Sequence, residues 1–398
     1  MAPVPDSQAL VEEDRLMTIL AAWQDAGGPS VELATLTPPD PTPLEPSTED
    51  LEVRAFTRAV DPTWRRTSYS SLSATSAAHA AALSEPEVVP DEDAELTAED
   101  LGADPSEEVP AAAAVPSPMA TLPVGATFGS LVHAVLEHAD PAADDFRAEL
   151  LRLIDEQLVW WPVDLDPGEL ADALVAVCDS PLGPLAADRT LLSLGLADRL
   201  RELDFEVPLA GGDTVAAPAD VRLGDLAPLL RRHLPEGDAV RVYADALDSD
   251  PDLAAQSLRG YLTGSIDVVL RLEVDGRQRF LTVDYKTNWL GPIDQPLTAH
   301  DYRPEMLHEA MAHSDYPLQA LLYTVVLHRF LRWRLPDYDP ATHLGGVLYL
   351  YLRGMCGPDT PVVDGSPCGV FSWRPPVALV AELSDLLDGV LDGSGVHR

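Results

Sequence analysis

The sequence has 398 residues, of which 46% are hydrophobic, so the chain can bury one large core or two smaller ones. Its three cysteines lack the paired spacing of a metal site or a disulfide framework, and no leader-like start or run of ~20 apolar residues occurs, so we expect a cytoplasmic chain with no membrane span. The formal net charge of −40 argues against a surface that binds a polyanion through many cationic contacts.

The first 63 residues are predicted to form a separate segment. An apolar run at Leu16–Trp23 predicts a helix, and the proline-rich stretch TPPDPTPLEP that follows predicts a tether. The phosphate-binding pattern GxxxxGK(S/T) does not occur, because the chain's only lysine, Lys286, lies in another context. We therefore expect no ATP site in this chain.

An acidic stretch separates this segment from the next predicted helix. Between Thr67 and Phe146 there are 15 Asp and Glu residues and no Lys or Arg. Residues 84–120 are rich in Asp, Glu, Pro and Ala, with too few large apolar side chains to offset the entropy lost on ordering. We predict a disordered acidic insertion there, and ordered structure that resumes at Gly125.

The segment Ala126–His138 is predicted to be an amphipathic helix. Its polar side carries His133 beside Ser130 and Glu137, at i, i+3 and i+4 spacing. From the residues alone, a solvated histidine and a metal-binding histidine both remain open. The positions predicted to be buried are Leu131, Val132, Val135 and Leu136.

The middle of the chain reads as mainly helical. Helices are predicted at Glu149–Val159, Pro167–Val177 and Leu223–His233. A helix end that runs into a strand is predicted at Arg199–Leu209, and a polar connection at Gly237–Pro251.

The next stretch predicts a β-hairpin. Asp275-Gly276 is a strong turn signal between strands at Gly264–Leu272 and Arg279–Lys286. Alternation along the second strand places Asp284 and Lys286 on one face, while Asp267 lies on the first strand. Two carboxylates and an ammonium can therefore converge on a surface open to a divalent metal and a phosphate. The full alternating sets are Phe280, Thr282, Asp284 and Lys286 on one face, and Leu281, Val283 and Tyr285 on the other.

Three further elements complete the chain: a long helix at Leu318–Arg334, a buried strand at Gly345–Leu352 and a final helix at Val377–Leu391. Four residues between the hairpin and the final helix each have two interpretations. Trp289, in the loop after the hairpin, is either a stacking platform for a base or a core anchor. Gln319 and Tyr323, one helical turn apart, are either surface residues or site residues. Arg353, at the strand end, contacts either a phosphate or a surface carboxylate.

These motifs together resemble a known nuclease family. Asp267…Asp284-Tyr285-Lys286 resembles the D…(D/E)xK core of the PD-(D/E)XK, restriction-endonuclease-like superfamily. The words DYKTNWLG and YPLQALLYTVVLHRFLRWRLPDYDPATHLGGVLYLYLRG are similar to the nuclease domain of the RecB family. The resemblance covers Trp64–Ser73 and Gly125–Arg374 with gaps. It implies an α/β fold of the mixed α+β kind, in which helices flank a central mixed β-sheet, for residues 64–398. Residues 1–63 would then be the end of a helicase region and a linker.

The resemblance also implies roles for residues. Asp267, Asp284 and Lys286 would be catalytic, and the metal would be held by the two aspartates, His133 and the Tyr285 backbone carbonyl. Gln319, Tyr323, Trp289 and Arg353 would support the DNA or the site. Either Glu202 or Glu206 would correspond to a glutamate near the family's site. The expected metal is Mg²⁺, with Mn²⁺ as a substitute and Ca²⁺ as a further binding ion.

The implied function is a DNA nuclease of the exodeoxyribonuclease V type, with exonuclease and endonuclease activity in double-strand break repair and recombination. RecC-like and RecD-like subunits would deliver single- and double-stranded DNA. This delivery, together with a generally acidic proteome, would reconcile the activity with the acidic charge. The alternatives are an AddA-type or stand-alone nuclease, or a catalytically silent DNA-binding or scaffold module. Three cysteines, where the family's iron–sulfur variants have four, argue against a cluster.

Overall fold

The computed structural model of the chain describes residues 13–25, 64–73, 115–212, 220–292 and 295–390. The chain divides into two units, residues 1–59 and 60–398. The described part of the first is helix α1 (Glu13–Asp25), which includes the predicted helix at Leu16–Trp23. The predicted tether, and residues 84–114 of the predicted insertion, lie outside the described residues. Within the described ranges, no helix is long and apolar enough to span a membrane.

The second unit combines helices and strands in alternating groups. Its described helices are α2 (Tyr69–Ser73), α3 (Ala126–His138), α4 (Phe146–Gln157), α5 (Pro167–Cys178), α6 (Leu226–His233), α7 (Tyr243–Ser249), α8 (Pro251–Ala254), α9 (Pro304–Ala312), α10 (Tyr316–Arg334), α11 (Pro340–His343) and α12 (Val377–Leu387). Its strands are β1 (Arg65–Ser68), β2 (Arg199–Pro208), β3 (Gly260–Val274), β4 (Arg277–Lys286), β5 (Leu344–Tyr351), β6 (Val362–Val363), β7 (Ser366–Pro367) and β8 (Val370–Trp373).

The central sheet is mixed, as predicted. Its order is β1-β3-β4-β5-β8, and β2 also pairs with β3, which is long enough to contact three strands. Strand β1 is parallel to β3 and β4 is parallel to β5, while the β2–β3, β3–β4 and β5–β8 pairs are antiparallel. A separate two-stranded sheet is formed by β6 and β7.

The hairpin between β3 and β4 forms where the sequence predicts it. Asp275 and Gly276 both have positive φ angles, 53° and 71°, as a tight two-residue hairpin turn requires. The pairing runs from the turn to Val268 opposite Val283. Asp267 therefore lies one residue beyond the last regular pair, near the end of β4 that carries Lys286.

Helices cover both faces of this sheet. One face packs mainly against α6, α7, α9, α10 and α12, and the other mainly against α3, α4 and α5. Because both of its faces are covered, β5 is buried along its entire length. The apolar residues of β4 follow the predicted alternation; those against the α3–α5 layer are Leu281, Val283 and Tyr285.

Three local expectations need correction. Arg199–Pro208 is strand throughout, after a 3-10 turn, because pairing with β3 outweighs the helical tendency of its Arg, Leu and Glu residues. The predicted polar connection contains helix α7, which buries Tyr243, Ala244 and Leu247. Residues 115–120, predicted as part of the insertion, are ordered: Pro116 bridges to Thr298 and Met119 is fully buried.

Candidate active site

The end of β4 holds a buried ion pair. Lys286 Nζ lies 2.9 Å from Asp284 Oδ2, and the two side chains are only 2% and 4% exposed. The ring centroid of Tyr316, at the start of α10, lies 4.3 Å from the same Nζ, and that of Tyr349, on β5, lies 5.8 Å from it. We call Asp284, Lys286, Tyr316 and Tyr349 the inner cluster.

The burial of the inner cluster corrects the expectation that this strand face is open. A buried charge is costly to desolvate unless it is paired, and here a carboxylate and the electron-rich faces of two rings share that task. The pair is therefore strong electrostatically and sensitive to the loss of either partner.

Helix α10 supports the inner cluster from behind. Tyr349 lies beside Asp284 in the β4–β5 pairing. The single hydrogen of its hydroxyl is shared between two acceptors, Gln319 Oε1 at 2.9 Å and the Tyr316 carbonyl at 3.1 Å. Gln319 Nε2 in turn donates to the Tyr323 hydroxyl at 3.4 Å. Gln319 is fully buried, so it supports the site through Tyr349 and does not offer a DNA-facing surface.

A second group of side chains, more exposed to solvent, surrounds Asp267 on the other strand of the hairpin. His133 Nδ1 is 3.4 Å from Asp267 Oδ2, and the two side chains are 26% and 15% exposed. The other ring nitrogen, Nε2, is 2.9 Å from the Tyr285 carbonyl, while the Tyr285 N–H donates to Asp267 Oδ2 at 2.8 Å. Helix α3 presents His133 here because its opposite side, including Leu131, Val132, Val135 and Leu136, is buried as predicted.

The structure distinguishes between the two candidate glutamates. Glu202 on β2 lies opposite Asp267 on β3, at a position where the regular pairing of the two strands is interrupted. Its φ of 42° lies in the left-handed region. Such a conformation costs on the order of 1–3 kcal/mol and tends to occur at functional sites. Ser265 Oγ donates to the Glu202 carboxylate at 2.8 Å. Glu206 instead pairs with Arg66 at 2.8 Å on the surface. We call His133, Asp267 and Glu202 the outer cluster.

The carboxyl groups of the outer cluster influence one another. Burial by itself raises the pKa of Asp267, but the charges of His133 and Lys286 and the Tyr285 N–H together hold that pKa below its usual value. Burial and the Asp267 charge raise the pKa of Glu202, although the hydrogen bond from Ser265 opposes this. The pKa values of these two nearby carboxyl groups are thus shifted in opposite directions, and perturbed pKa values are typical of functional sites.

The residues present fit a divalent metal by the chemistry of their donors. Asp267, Asp284 and the Tyr285 carbonyl offer the oxygen ligands that Mg²⁺ prefers, and His133 adds a nitrogen. The 2.9 Å between His133 Nε2 and the Tyr285 carbonyl is close to the ~3 Å that separates neighbouring ligands of an octahedral ion with ~2.1 Å bonds. Across the described residues, however, no group of three or more His, Cys, Asp or Glu side chains is preassembled to hold a metal. Asp284 instead pairs with Lys286.

The last two predicted site residues, Trp289 and Arg353, lie close to each other. Trp289 is partly buried against the core, in accordance with the anchor reading. Arg353 is fully buried and donates to backbone carbonyls, so a phosphate contact at the surface is not available to it.

The sequence reasoning missed Tyr316 and Tyr349. Neither has a motif of its own, and each acts through tertiary contact with Lys286. The sequence held one signal for Tyr349: it is a polar-tipped residue within the apolar run GGVLYLYL, which predicts a buried strand.

Comparison with known proteins identifies the class. Residues 111–364 match the PD-(D/E)XK nuclease superfamily, which is more than half of the chain and includes every residue of the inner and outer clusters. The chain belongs to this superfamily, whose nucleases depend on divalent metals.

Its relatives are more specific. The chain is 54% identical over 394 residues to the RecBCD enzyme subunit RecB of Mycolicibacterium smegmatis, which covers 97% of this chain and 35% of the relative. It is 54% identical to the same subunit of Mycobacterium tuberculosis over 95% of this chain and 34% of the relative. For Escherichia coli RecB the identity is 29%, over 86% of this chain and 25% of the relative. The resemblance to the RecB nuclease domain is confirmed, and the chain spans about a third of the length of its mycobacterial relatives.

Proposed function

We propose that this chain is a Mg²⁺-dependent DNA nuclease that hydrolyses phosphodiester bonds as the nuclease portion of a RecBCD-type helicase–nuclease. The observation that carries this proposal is the meeting of two clusters at one end of the β3–β4 hairpin. One provides a buried ammonium–carboxylate pair, and the other provides an imidazole and a carboxylate around a backbone carbonyl.

Residues of both clusters would take part in this reaction. Asp267, Asp284, His133 and the Tyr285 carbonyl would hold the metal, which would polarise the scissile phosphate and lower the pKa of an attacking water. Lys286 is buried beside Asp284, and its compact positive charge would stabilise the negative charge that develops on the phosphate without a surface contact. Tyr316 and Tyr349 keep that ammonium in place and exclude water around it, which strengthens its electrostatic effect.

The acidic charge of the chain bears on how DNA reaches the site. A net charge of −40 repels a polyanion, so we infer that DNA is threaded to this domain by a motor and by RecC-like and RecD-like subunits in the cytoplasm. In this role the chain acts in double-strand break repair and recombination. An AddA-type or stand-alone nuclease is the alternative in which the domain binds DNA unaided.

A cleavage assay tests the proposal. The chain is incubated with end-labelled single- and double-stranded DNA, with Mg²⁺, Mn²⁺, Ca²⁺ or EDTA, with or without ATP, and with or without RecC and RecD subunits. The same reactions are run with the chain as part of a polypeptide that carries the motor. We expect weak, metal-dependent cleavage by the chain alone, unaffected by ATP, and stimulation only when the motor and partner subunits are present. Metal binding without cleavage under any of these conditions would favour a silent scaffold.

Salt dependence separates delivery by partners from unaided binding. A chain with few cationic contacts releases few counterions, so its DNA affinity should change little between low and moderate salt. Tight binding with a steep salt dependence, or ATP-stimulated processive degradation by the chain alone, would contradict delivery by partners.

A further inference from the structure

Arg353 is a fully buried arginine that binds two separate backbone segments. Its Nε donates to the Thr287 carbonyl at 2.7 Å, immediately after Lys286 in the chain. Its Nη1 donates to the Met119 carbonyl at 2.8 Å and to the Leu122 carbonyl at 3.3 Å, and Nη2 donates to the Pro123 carbonyl. One planar guanidinium thus joins the end of β4 to residues 119–123.

The two segments joined by Arg353 lead to the two clusters. Residues 119–123 run into α3 through its N-cap, Gly125, whose φ of 109° favours glycine, and His133 follows about two turns later. Thr287 is covalently bonded to Lys286, so its position fixes the end of the catalytic strand. The guanidinium therefore sits where the placement of the His133 helix relative to β4 is determined.

Two aromatic rings lie close to the guanidinium. The Phe128 ring, on α3 itself, lies 5.2 Å from Arg353 Cζ, and the Trp289 ring, two residues beyond Thr287, lies 5.4 Å from it. The chain that continues from each hydrogen-bonding segment thus also supplies one ring beside the guanidinium. A fork of five N–H donors on a flat, stackable group suits this arrangement, and an ammonium does not.

We infer that Arg353 is a positioning residue for the metal site, which holds His133 on α3 at the correct distance from the Tyr285 carbonyl and the end of β4. This inference rests on the proposed function. Arg353 does not contact the reacting atoms; it acts through the backbone segments on either side of it.

The test measures metal affinity rather than cleavage. In Arg353→Lys the charge is retained, but the three N–H groups of one ammonium cannot reproduce the four hydrogen bonds that the guanidinium makes to the two segments. We expect Mn²⁺ affinity, measured by calorimetry on the full 398-residue chain, to fall about 10- to 100-fold, the usual effect of disturbing groups that orient metal ligands. Unchanged affinity in a folded Arg353→Lys variant would overturn the inference.

Arg329 provides a matched control elsewhere in the fold. Its side chain is 9% exposed, and its guanidinium donates to the Pro208 and Ser384 carbonyls at 2.7 Å each, which joins β2 to α12. Arg329→Lys should lower the melting temperature but leave Mn²⁺ affinity within twofold of the unchanged chain. An equal loss of affinity in both variants would show a general structural effect and overturn the inference.

A double variant tests whether Arg353 acts through His133. If it does, His133→Asn combined with Arg353→Lys should bind Mn²⁺ no more than twofold weaker than His133→Asn alone, whereas additive losses would overturn the inference.

If Arg353→Lys does not fold, Phe128→Leu provides the test, because it removes one aromatic ring beside the guanidinium. We expect Mn²⁺ affinity to fall about threefold in Phe128→Leu, and unchanged affinity would overturn the inference. Mn²⁺ binding by an unchanged chain that cuts no DNA would overturn only the proposed function, whereas absence of binding would overturn both.

Discussion

The inner and outer clusters each contain one aspartate of the site, and they differ mainly in access to water. Asp284 is 4% exposed and lies 2.9 Å from Lys286, while Asp267 is 15% exposed and lies 3.4 Å from His133. The attraction within an ion pair is stronger when the pair is shielded from water, whereas a more exposed group can exchange ligands with the solvent more easily. We propose that Lys286 and the two tyrosines of the inner cluster stabilise charge, while the outer cluster, together with Asp284, admits the metal.

The largest effect on stability is expected in the inner cluster. Asp284→Ala leaves the Lys286 ammonium buried without its carboxylate, and removing one partner of a buried pair costs roughly 3–5 kcal/mol of unfolding free energy. The double variant Asp284→Asn, Lys286→Met removes both charges and should be much less destabilised. Chemical denaturation of the two variants measures the difference, and a cost below ~1 kcal/mol for Asp284→Ala would show that the pair is not effectively dry.

Metal affinity should depend most directly on the outer cluster. We expect His133→Asn to weaken Mn²⁺ binding about 10- to 100-fold, with little change in stability because the side chain is partly exposed. His138→Asn, on the same helix at a more exposed position, is the control and should bind Mn²⁺ normally. Calorimetry on both variants checks this, and equal affinities would remove His133 from the metal site.

A smaller effect should distinguish the two glutamates. Glu202→Gln removes a carboxylate next to Asp267, and we expect about tenfold weaker Mn²⁺ binding, at the lower end of the range for groups that tune a metal site. Glu206→Gln breaks only a surface pair with Arg66, worth ~0–1 kcal/mol, and should leave the affinity unchanged. The reverse pattern would exclude Glu202 from the outer cluster.

The smallest effect concerns the hydroxyl of Tyr316. It donates to Asn288 Oδ1 at 3.3 Å, a long contact, so Tyr316→Phe should cost less than ~1 kcal/mol and keep the ring over Lys286. Tyr316→Leu also loses the aromatic face and should reduce the cleavage rate more than Tyr316→Phe does. Rates measured side by side test this order, and identical losses would assign the role to the hydroxyl.

Local pattern was sufficient to predict the hairpin and the helix that carries His133. The turn at Asp275-Gly276, the alternation toward Lys286 and the apolar stripe of α3 are all encoded within a few residues. These features are confirmed by the structure because local propensity and tertiary packing favour the same result there.

The burial of the inner cluster could not be predicted in this way. It depends on Tyr316 and Tyr349, which are distant from Lys286 in the sequence and reach it only through the packing of α10 and the pairing of β5 with β4. The depth of Arg353 has the same origin, because its partner carbonyls lie more than 200 residues earlier or just beyond the end of β4. Strand β2 was predicted with a helical start because its pairing with β3 is non-local.

The most direct test of the central claim is the rate of DNA cleavage by Lys286→Arg, compared with the unchanged chain across a Mg²⁺ titration. The substitution keeps the positive charge, but it replaces a compact ammonium, 2% exposed and 2.9 Å from Asp284, with a larger planar group. With folding verified by thermal melting, we predict a loss of ~10²–10³-fold in rate at saturating Mg²⁺, the scale of removing one group that stabilises the transition-state charge. A near-normal rate in the folded variant would contradict the claim that a compact, buried ammonium does this chemistry.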